Sequence, residues 1–244
     1  INIVTLEDPV EYKIDGVNQM QVNNAVGLTF ANGLRSILRQ DPNVIMVGEI
    51  RDHETADLAV QSSLTGHLVL STLHTNSAAG VLPRMLDMGI EPFLIASTIN
   101  VVMGQRLVRK VCEKCRKPFP ASEAAVQMIN KYVGHMLPKS EKETAKIAEY
   151  FGYKTLPLFN QKAYTLYKGE GCANCVDGYK GRIGIYEIFE MNKSIEKLLL
   201  KEATTSEIQQ QAQKDGMLTM QQDGIMKALS GITTIEEVSR VSAD

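Results

Sequence analysis

The sequence of 244 residues is poor in the features that mark membrane, nucleic-acid-binding or disordered proteins. Its apolar runs, such as Val44–Val47 and Leu68–Leu70, are far too short to span a bilayer. A formal net charge of −2 argues against broad binding to a phosphate backbone, and 6% aromatic residues leave little for base stacking. There is no internal repeat and no low-complexity tract. With 44% hydrophobic and 22% charged residues, the composition is that of a soluble globular protein with a sizeable core.

Export features are also missing from the first residues. Ile1–Leu6 has no positively charged region and no cleavage site, so we recognise no signal peptide. The first residue is not Met and the chain opens on a strand-like run, which we interpret as a fragment whose N-terminal portion is absent. Only four cysteines are present, in two pairs. Without an export signal, this spacing favours a metal over disulfides.

Residues 1–104 alternate short apolar runs with helical stretches. The predicted elements are strand Ile1–Leu6, helix Phe30–Arg39, strand Asn43–Val47, helix Glu54–Leu64 and strand His67–Leu73. Asp52 is a candidate N-cap for the second helix and Gly66 a candidate stop. Buried strands joined by helices predict a parallel sheet with helices on its faces. Ligands are then expected at the carboxyl ends of the strands.

Residues 105–186 and 187–244 are predicted to form two further domains. The two cysteine pairs bracket residues 118–170, which we interpret as a subdomain organised around a metal rather than a core. It is predicted to hold two polar helices, near 122–132 and 140–150, and a β-like piece near 164–167. From Gly184–Phe189 onward the chain is predicted to be helical. The candidate C-terminal helices are Ser194–Glu202, Thr205–Lys214, Met220–Ser230 and Ile235–Val241, with capping signals at Thr205–Glu207 and Thr234–Glu237.

Three carboxylates follow the first predicted strand, at Glu7, Asp8 and Glu11. At the carboxyl end of a strand, such groups can orient water or coordinate Mg²⁺. A solvated acidic turn would have the same composition. These residues alone leave both interpretations open.

The second predicted strand leads to Glu49, and Gly48 before it leaves room for a close approach. An acid in this place can hold a metal-bound water beside nucleotide phosphates. Arg51 follows, and Arg35 and Arg39 lie four residues apart on the preceding helix. Guanidinium groups suit phosphate or carboxylate partners. The alternative is a buried strand with an ion-paired exit loop.

The third predicted strand lies between two histidines, His67 and His74. Seven residues apart on a strand, they point to opposite faces and cannot jointly bind one metal. His74 follows the carboxyl end, where it could bond to a phosphate. A lone histidine is more often structural, but this tip also carries other polar side chains, namely Ser71, Thr72, Thr75 and Asn76.

The cysteines form two C-x-x-C pairs, Cys112/Cys115 and Cys172/Cys175. Each pair can chelate one ion through two thiolates, and two pairs complete the tetrahedron of a structural zinc site. With all four ligands from protein, no position is open for chemistry. The alternatives are four buried free thiols or a redox pair. The redox pair is disfavoured because neither C-x-x-C opens a helix after a strand.

Four of these segments, in this order, resemble the secretion ATPases of type II secretion and type IV pilus assembly. They are Thr5–Glu11, Leu34–Pro42, Val44–Asp52 and Thr65–Asn76, and the resemblance covers essentially the whole chain. In that family the first segment is called the Asp box, the third Walker B and the fourth the His box. The resemblance implies a RecA-like P-loop NTPase α/β domain, followed by the tetracysteine zinc subdomain and a helical C-terminal subdomain.

The resemblance also implies roles for the acidic residues. Glu11 would be the water-activating carboxylate, supported by Glu7 and Asp8. Glu49 would be the Walker B acid near Mg²⁺. ATP with Mg²⁺ and a structural Zn²⁺ are the implied cofactors.

For the basic residues, the resemblance implies positions around the phosphates. His74 would approach the terminal phosphate, and His67 would help to hold the geometry of its segment. Arg35, Arg39 and Arg51 resemble the family's basic residues at the phosphates or the subunit interface.

The family's G-x-x-x-x-G-K-[ST] loop, expected a few dozen residues before the Asp box, is not among these residues. That loop supplies the backbone N–H cradle and the lysine that hold the phosphates. We therefore predict that this chain alone neither binds ATP well nor hydrolyses it. In the intact protein, the resemblance implies ATP hydrolysis that drives type IV pilus assembly or type II protein secretion.

The implied setting is a cytoplasmic homo-hexamer, held at the inner membrane by platform and docking proteins of the machinery, with no nucleic-acid partner. A rival within the class is pilus retraction, against which the cysteines count because retraction ATPases lack them. The rival from another class is a non-catalytic zinc-dependent protein-interaction module. Removal of zinc is expected to unfold residues 112–175 first.

Overall fold

The computed structural model describes residues 1–242 and divides into two compact units. Unit 1 comprises Ile1–Val102 and Phe189–Asp215. Unit 2 comprises Met103–Ile188 and the described residues from Gly216 onward. The three-domain division stays a prediction, and each compact unit includes part of the predicted helical tail. Within residues 1–242, no helix has the length and apolar character needed to cross a membrane.

Strands and helices alternate along unit 1, and two pairs of strands form the sheets of unit 2. In chain order the elements are β1 (Ile3–Glu7), β2 (Asn18–Gln21), α1 (Phe30–Ile37), β3 (Val44–Val47), α2 (His53–Leu64), β4 (Leu68–Ser71), α3 (Val81–Asp87), α4 (Pro92–Thr98), β5 (Val101–Val111), β6 (Arg116–Pro120), α5 (Glu123–Val133), α6 (Glu141–Tyr150), β7 (Thr165–Gly169), β8 (Tyr179–Glu190), α7 (Lys193–Leu199), α8 (Thr205–Lys214), α9 (Met220–Leu229) and α10 (Ile235–Ser242).

The sheet of unit 1 has the strand order β2-β1-β3-β4, and every neighbouring pair is parallel. Leu6 lies opposite Val47, and Val47 lies opposite Ser71. The carboxyl ends of β1, β3 and β4 therefore meet at one edge of the sheet. Leu6 of β1 and Ile45 of β3 are fully buried, which explains why these two strands are short apolar runs. The predicted parallel α/β sheet is confirmed.

Capping residues mark the start of several helices, and the structure corrects two of the sequence-based predictions. Asp52 caps α2 as predicted, since its Oδ1 accepts from the N–H of Thr55 at 2.8 Å. Helix α8 is capped by Thr204, not Thr205, in a capping box with Glu207. Gly184–Phe189 is not helical but lies inside strand β8, where Ile185 is buried.

Unit 2 contains an apolar core, so the expectation of a subdomain held by metal rather than by a core is wrong. Its two strand pairs are β5 with β8 and the antiparallel β6 with β7. Ile129 of α5, Tyr164, Ile225 of α9 and Val238 of α10 are buried in one cluster. Helix α5 was predicted to be polar, yet its apolar residues recur at helical spacing, and residues distant in sequence cover that face.

Candidate functional site

Glu49 lies just beyond the end of β3, at the edge where the parallel strands finish. The N–H of Gly48 donates to the carbonyl oxygen of Leu6 at 2.7 Å, so the chain after β3 stays close to β1. A Cβ on Gly48 would lie 3.1 Å from that same oxygen, which is why a residue without a side chain fits here. Glu49 itself is only 8% exposed.

Both carboxylate oxygens of Glu49 have cationic or N–H partners. Arg51 Nη2 lies 2.5 Å from Oε1, and His74 Nε2 lies 2.8 Å from Oε2. The hydrogen bond from Arg51 is the main reason that the pKa of Glu49 lies below its usual value; burial opposes this shift, and the bond from His74 adds to it. Glu49 is therefore an ionised acid, whereas the side chains of Arg51 and His74 are 64% and 79% exposed.

Thr72 joins the segments that follow β3 and β4. Its hydroxyl donates to the carbonyl oxygen of Gly48 at 2.6 Å, and the N–H of Ile50 donates to the carbonyl oxygen of Thr72 at 3.0 Å. These bonds hold the two loops in register, which brings His74 to Glu49. The sequence indicated a polar tip containing Thr72, but not this specific bond.

Glu7 and Asp8 lie at the same edge of the sheet. Glu7 Oε1 accepts from the hydroxyl of Thr5 at 2.5 Å and from Nε2 of Gln19 at 3.0 Å. The pKa of Arg51 is raised, chiefly by Glu49 and to a smaller extent by the negative charge of Asp8. Glu11 is exposed in the loop between β1 and β2.

Two glutamines of β2, a strand that was not predicted from the sequence, contact that loop. Gln19 Nε2 also donates to the carbonyl oxygen of Tyr12 at 2.9 Å. Gln19 Oε1 accepts from the N–H of Ile14 at 2.7 Å. Gln21 Oε1 accepts from the N–H of Val10 at 3.2 Å. The Gln-x-Gln spacing, which places both side chains on one face of a strand, could have indicated them from the sequence.

His67 lies at the opposite end of β4 from His74. Its Nδ1 is 2.8 Å from the carbonyl oxygen of Ser62 and 3.1 Å from the hydroxyl of Thr65. The ring therefore ties the start of β4 to the end of α2.

The arginines of the α1 region have partners other than the Glu49 carboxylate. Arg35 pairs with Glu54 of α2 at 2.6 Å, and both side chains are exposed. Arg39 lies beyond the end of α1, with its Nη2 3.5 Å from the hydroxyl of Ser36. Among the three predicted arginines, the one that contacts Glu49 is Arg51.

The four cysteines gather in unit 2, and their sulfur atoms all lie within 4.8 Å of one another. The Sγ–Sγ distances are 3.9 Å for Cys112 to Cys172, 3.7 Å for Cys115 to Cys175, and 3.6 Å for Cys172 to Cys175. Four sulfurs bound to zinc at about 2.3 Å in a tetrahedron are roughly 3.8 Å apart. The cluster therefore has the dimensions of a four-thiolate zinc site.

The ends of four strands hold these cysteines. Cys112 follows β5, Cys115 precedes β6, and the second pair lies between β7 and β8. A Cβ on Gly169 would lie 2.1 Å from the carbonyl oxygen of Gly178, so the two strand ends meet with no room for a side chain. Burial raises the pKa of Cys115 to about 12. A hydrogen bond from the backbone of Asn174 is the main reason that the pKa of Cys172 is lowered to about 7.

Solved structures show which proteins share this fold. The pilus retraction motor PilT with bound ADP matches with a TM-score of 0.61 at 25% identity, covering 100% of this chain and 53% of that chain. The ATPase DotB of Legionella pneumophila matches with a TM-score of 0.60 at 21% identity, covering 99% of this chain and 51% of that chain. The molecule thus has the fold of the RecA-like pilus and secretion ATPases, and this prediction is confirmed.

The sequence comparisons define the family. The model of the family described as type II/IV secretion system protein matches residues 1–240. The chain is 46% identical over 244 residues to type II secretion system protein E of Pseudomonas aeruginosa and 42% identical to the type IV pilus assembly ATPase PilB of the same organism. All of this chain is covered in both, but only 43% and 39% of those proteins. The chain belongs to the type II/IV secretion system protein family, as its motifs predicted, and spans about two fifths of these relatives.

Proposed function

We propose that this chain is part of a motor ATPase that hydrolyses ATP to drive type IV pilus assembly or type II protein secretion. The observation that carries the proposal is the buried carboxylate of Glu49 at the tip of a parallel strand, with Arg51 and His74 on its two oxygens. Relatives at 42–46% identity are named as assembly or secretion proteins, whereas the retraction motor PilT matches at 25%. This difference favours assembly or secretion over retraction.

The groups at the sheet edge suit phosphoryl transfer to water. Water attacks the terminal phosphorus, the bond to the bridging oxygen of ADP breaks, and the proton of the water passes to the carboxylate of Glu11 and then to solvent. Arg51 and His74 offer N–H donors whose exposed side chains can turn from Glu49 to the phosphates. Such donors stabilise the charge that develops on the phosphoryl oxygens.

The donor set at this edge fits Mg²⁺. A hard divalent cation prefers oxygen ligands, and Glu49 is an ionised carboxylate held by hydrogen bonds at the strand tip. Glu49 would hold the cation, directly or through water, once Arg51 and His74 turn to the phosphates. When bound, Mg²⁺ offsets the negative charge of the triphosphate.

The thiol cluster is proposed to bind one Zn²⁺ that holds strand ends together and has no catalytic part, because four thiolates leave no open position. The intact protein is proposed to be a cytoplasmic homo-hexamer that docks on inner-membrane platform proteins. Family membership supports both proposals. Sedimentation velocity of the full-length protein with ATP tests the hexamer.

The test of function is ATP hydrolysis by the full-length protein with Glu49 replaced by glutamine. Glu49→Gln keeps the shape but removes the charge, and we expect kcat to fall by about 100-fold or more. Glu91→Gln makes the same chemical change at an exposed position before α4 and should leave kcat within about 2-fold. Equal rates for wild type and Glu49→Gln would end the motor proposal and favour a non-catalytic interaction module.

A further inference from the structure

The loop between β1 and β2 has no helix or strand of its own, and the Gln19 side chain bridges it to β1. The amide nitrogen of Gln19 donates to Glu7 Oε1 and to the carbonyl oxygen of Tyr12, while its amide oxygen accepts from the N–H of Ile14. Turning the amide by half a turn would set its oxygen against two other oxygens. The partners therefore fix one orientation of the side chain.

Gln21 binds the first part of the same loop, where its amide oxygen accepts from the N–H of Val10. Gln19 and Gln21 are two residues apart on one strand, so both point to the same side of β2. Their bonds reach residues 10, 12 and 14, on both sides of Glu11. The Glu11 side chain is exposed. Because the bonded residues lie on both sides of it, these bonds place the backbone that carries Glu11.

We propose that Gln19 and Gln21 are positioning residues, which hold the β1–β2 loop so that the Glu11 carboxylate faces the attacking water. This inference rests on the proposed function, in which Glu11 takes the proton of that water. A misplacement of about 1 Å at a reacting group can cost as much as 100-fold in rate. The two glutamines hold the loop by three hydrogen bonds, and a fourth joins Gln19 to Glu7 of β1, so the position of the loop is sensitive to their loss.

The first test uses the full-length protein with Gln19→Leu, which has a similar volume and loses all three bonds of Gln19. We expect kcat to fall about 10-fold with the KM for ATP within about 2-fold of wild type, because positioning acts on the reaction rather than on nucleotide binding. Amide hydrogen exchange in residues 9–16 should become faster. Gln210→Leu on α8, where Gln210 is exposed and contacts Ser206 of its own helix, should change neither quantity.

The second test is a double-mutant cycle with Glu11→Gln. If Gln19 acts through Glu11, the double variant Gln19→Leu/Glu11→Gln should be no slower than Glu11→Gln alone. The inference would be overturned if the losses in kcat of the two single variants multiplied in the double variant. A wild-type kcat for Gln19→Leu, or unchanged amide exchange in residues 9–16, would overturn it as well. Glu49→Gln in the same assay distinguishes failure of the positioning role from failure of the proposed function. If Glu49→Gln is inactive and Gln19→Leu is fully active, only the positioning role is refuted.

Discussion

His74 Nε2 lies 2.8 Å from Oε2 of Glu49, although the two residues are 25 positions apart in the chain. The parallel register of β3 and β4 produces this contact, because Val47 at the end of one strand lies opposite Ser71 at the end of the other. A carboxylate only accepts hydrogen bonds, so Nε2 of His74 is the donor. The Glu49 carboxylate thus fixes the orientation of the imidazole at the strand tips.

Replacing His74 by alanine in the full-length protein should lower kcat for ATP hydrolysis by about 100-fold, since one proposed donor to the phosphoryl oxygens is lost. His53→Ala is the matched control, because His53 Nδ1 contacts the carbonyl oxygen of Met88 and not Glu49. Steady-state phosphate release measures both variants. An unchanged kcat for His74→Ala would remove His74 from the reaction.

The 244-residue chain by itself should show no micromolar affinity for a non-hydrolysable ATP analogue. Its residues include no Gly-Lys pair of the kind that ends a phosphate-binding loop, so the backbone cradle and the lysine are missing. Isothermal titration calorimetry of this chain is the measurement, and the full-length protein serves as the positive control. A Kd in the micromolar range for the 244-residue chain would contradict the expectation.

The thiol cluster should bind one zinc ion, and its removal should loosen the strand ends rather than the whole of residues 112–175. Ile129 of α5 and Ile225 of α9 lie in an apolar cluster that includes none of the four cysteines, so we expect a smaller region to unfold than the sequence alone predicted. After chelation, amide exchange should accelerate at residues 112–115 and 170–178 while α5 and α9 stay protected.

Cys172→Ser tests the same site without a chelator. The variant should lose zinc, measured by atomic absorption, because three thiolates leave the tetrahedron incomplete. Asn174→Ser, between the two cysteines of that pair, is the control and should keep one zinc per chain. Full protection of residues 170–178 in metal-free protein would show that the cluster has no structural part.

The strands that the sequence predicted in unit 1 are those with apolar runs. β1, β3 and β4 are short apolar runs, and their predicted bounds agree with the structure to within about two residues. β2, with the sequence Asn-Gln-Met-Gln, has no apolar run and is half exposed, so its pairing with β1 decides its conformation. Gln19 and Gln21 were missed together with it.

Contacts between segments distant in sequence account for the other differences. The prediction that Cys112 and Cys172 share a site needed only the repeated spacing of two pairs. The approach of Gly169, the last residue of β7, to Gly178 in the loop before β8 depends on how the two segments meet, and glycines near strand ends are too common to predict it. Likewise, the apolar face of α5 is buried by α9, about ninety residues later in the chain, so its burial could not be predicted from the sequence of α5 alone.

The last prediction concerns Glu237 of α10, which is 2% exposed and has two arginine partners. Arg240 Nη2 lies 2.8 Å from Oε2, and Arg109 Nη2 lies 2.7 Å from Oε1. The bond from Arg240 is the main reason that the pKa of Glu237 lies well below its ordinary value of 4.5; burial opposes the shift and Arg109 adds to it. Because its pKa is lower in the folded than in the unfolded state, the ionised Glu237 carboxylate stabilises the protein fully above about pH 4.5. This contribution is lost as the pH falls through the folded-state pKa.

Glu237→Gln should therefore lower the free energy of unfolding by about 2 kcal/mol at pH 7, since hydrogen bonds to a charged group are lost. The difference from wild type should shrink as the pH is lowered below about 4.5 towards 2, because the Glu237 carboxylate of the unfolded wild-type chain takes up a proton in this range while the folded one stays ionised, which makes unfolding of the wild type more favourable. Glu236→Gln, at the exposed neighbouring position, should differ little from wild type at either pH. Urea unfolding followed by far-ultraviolet circular dichroism measures all three proteins. A constant difference between Glu237→Gln and wild type across this pH range would show that the carboxylate charge contributes nothing to the stability of unit 2.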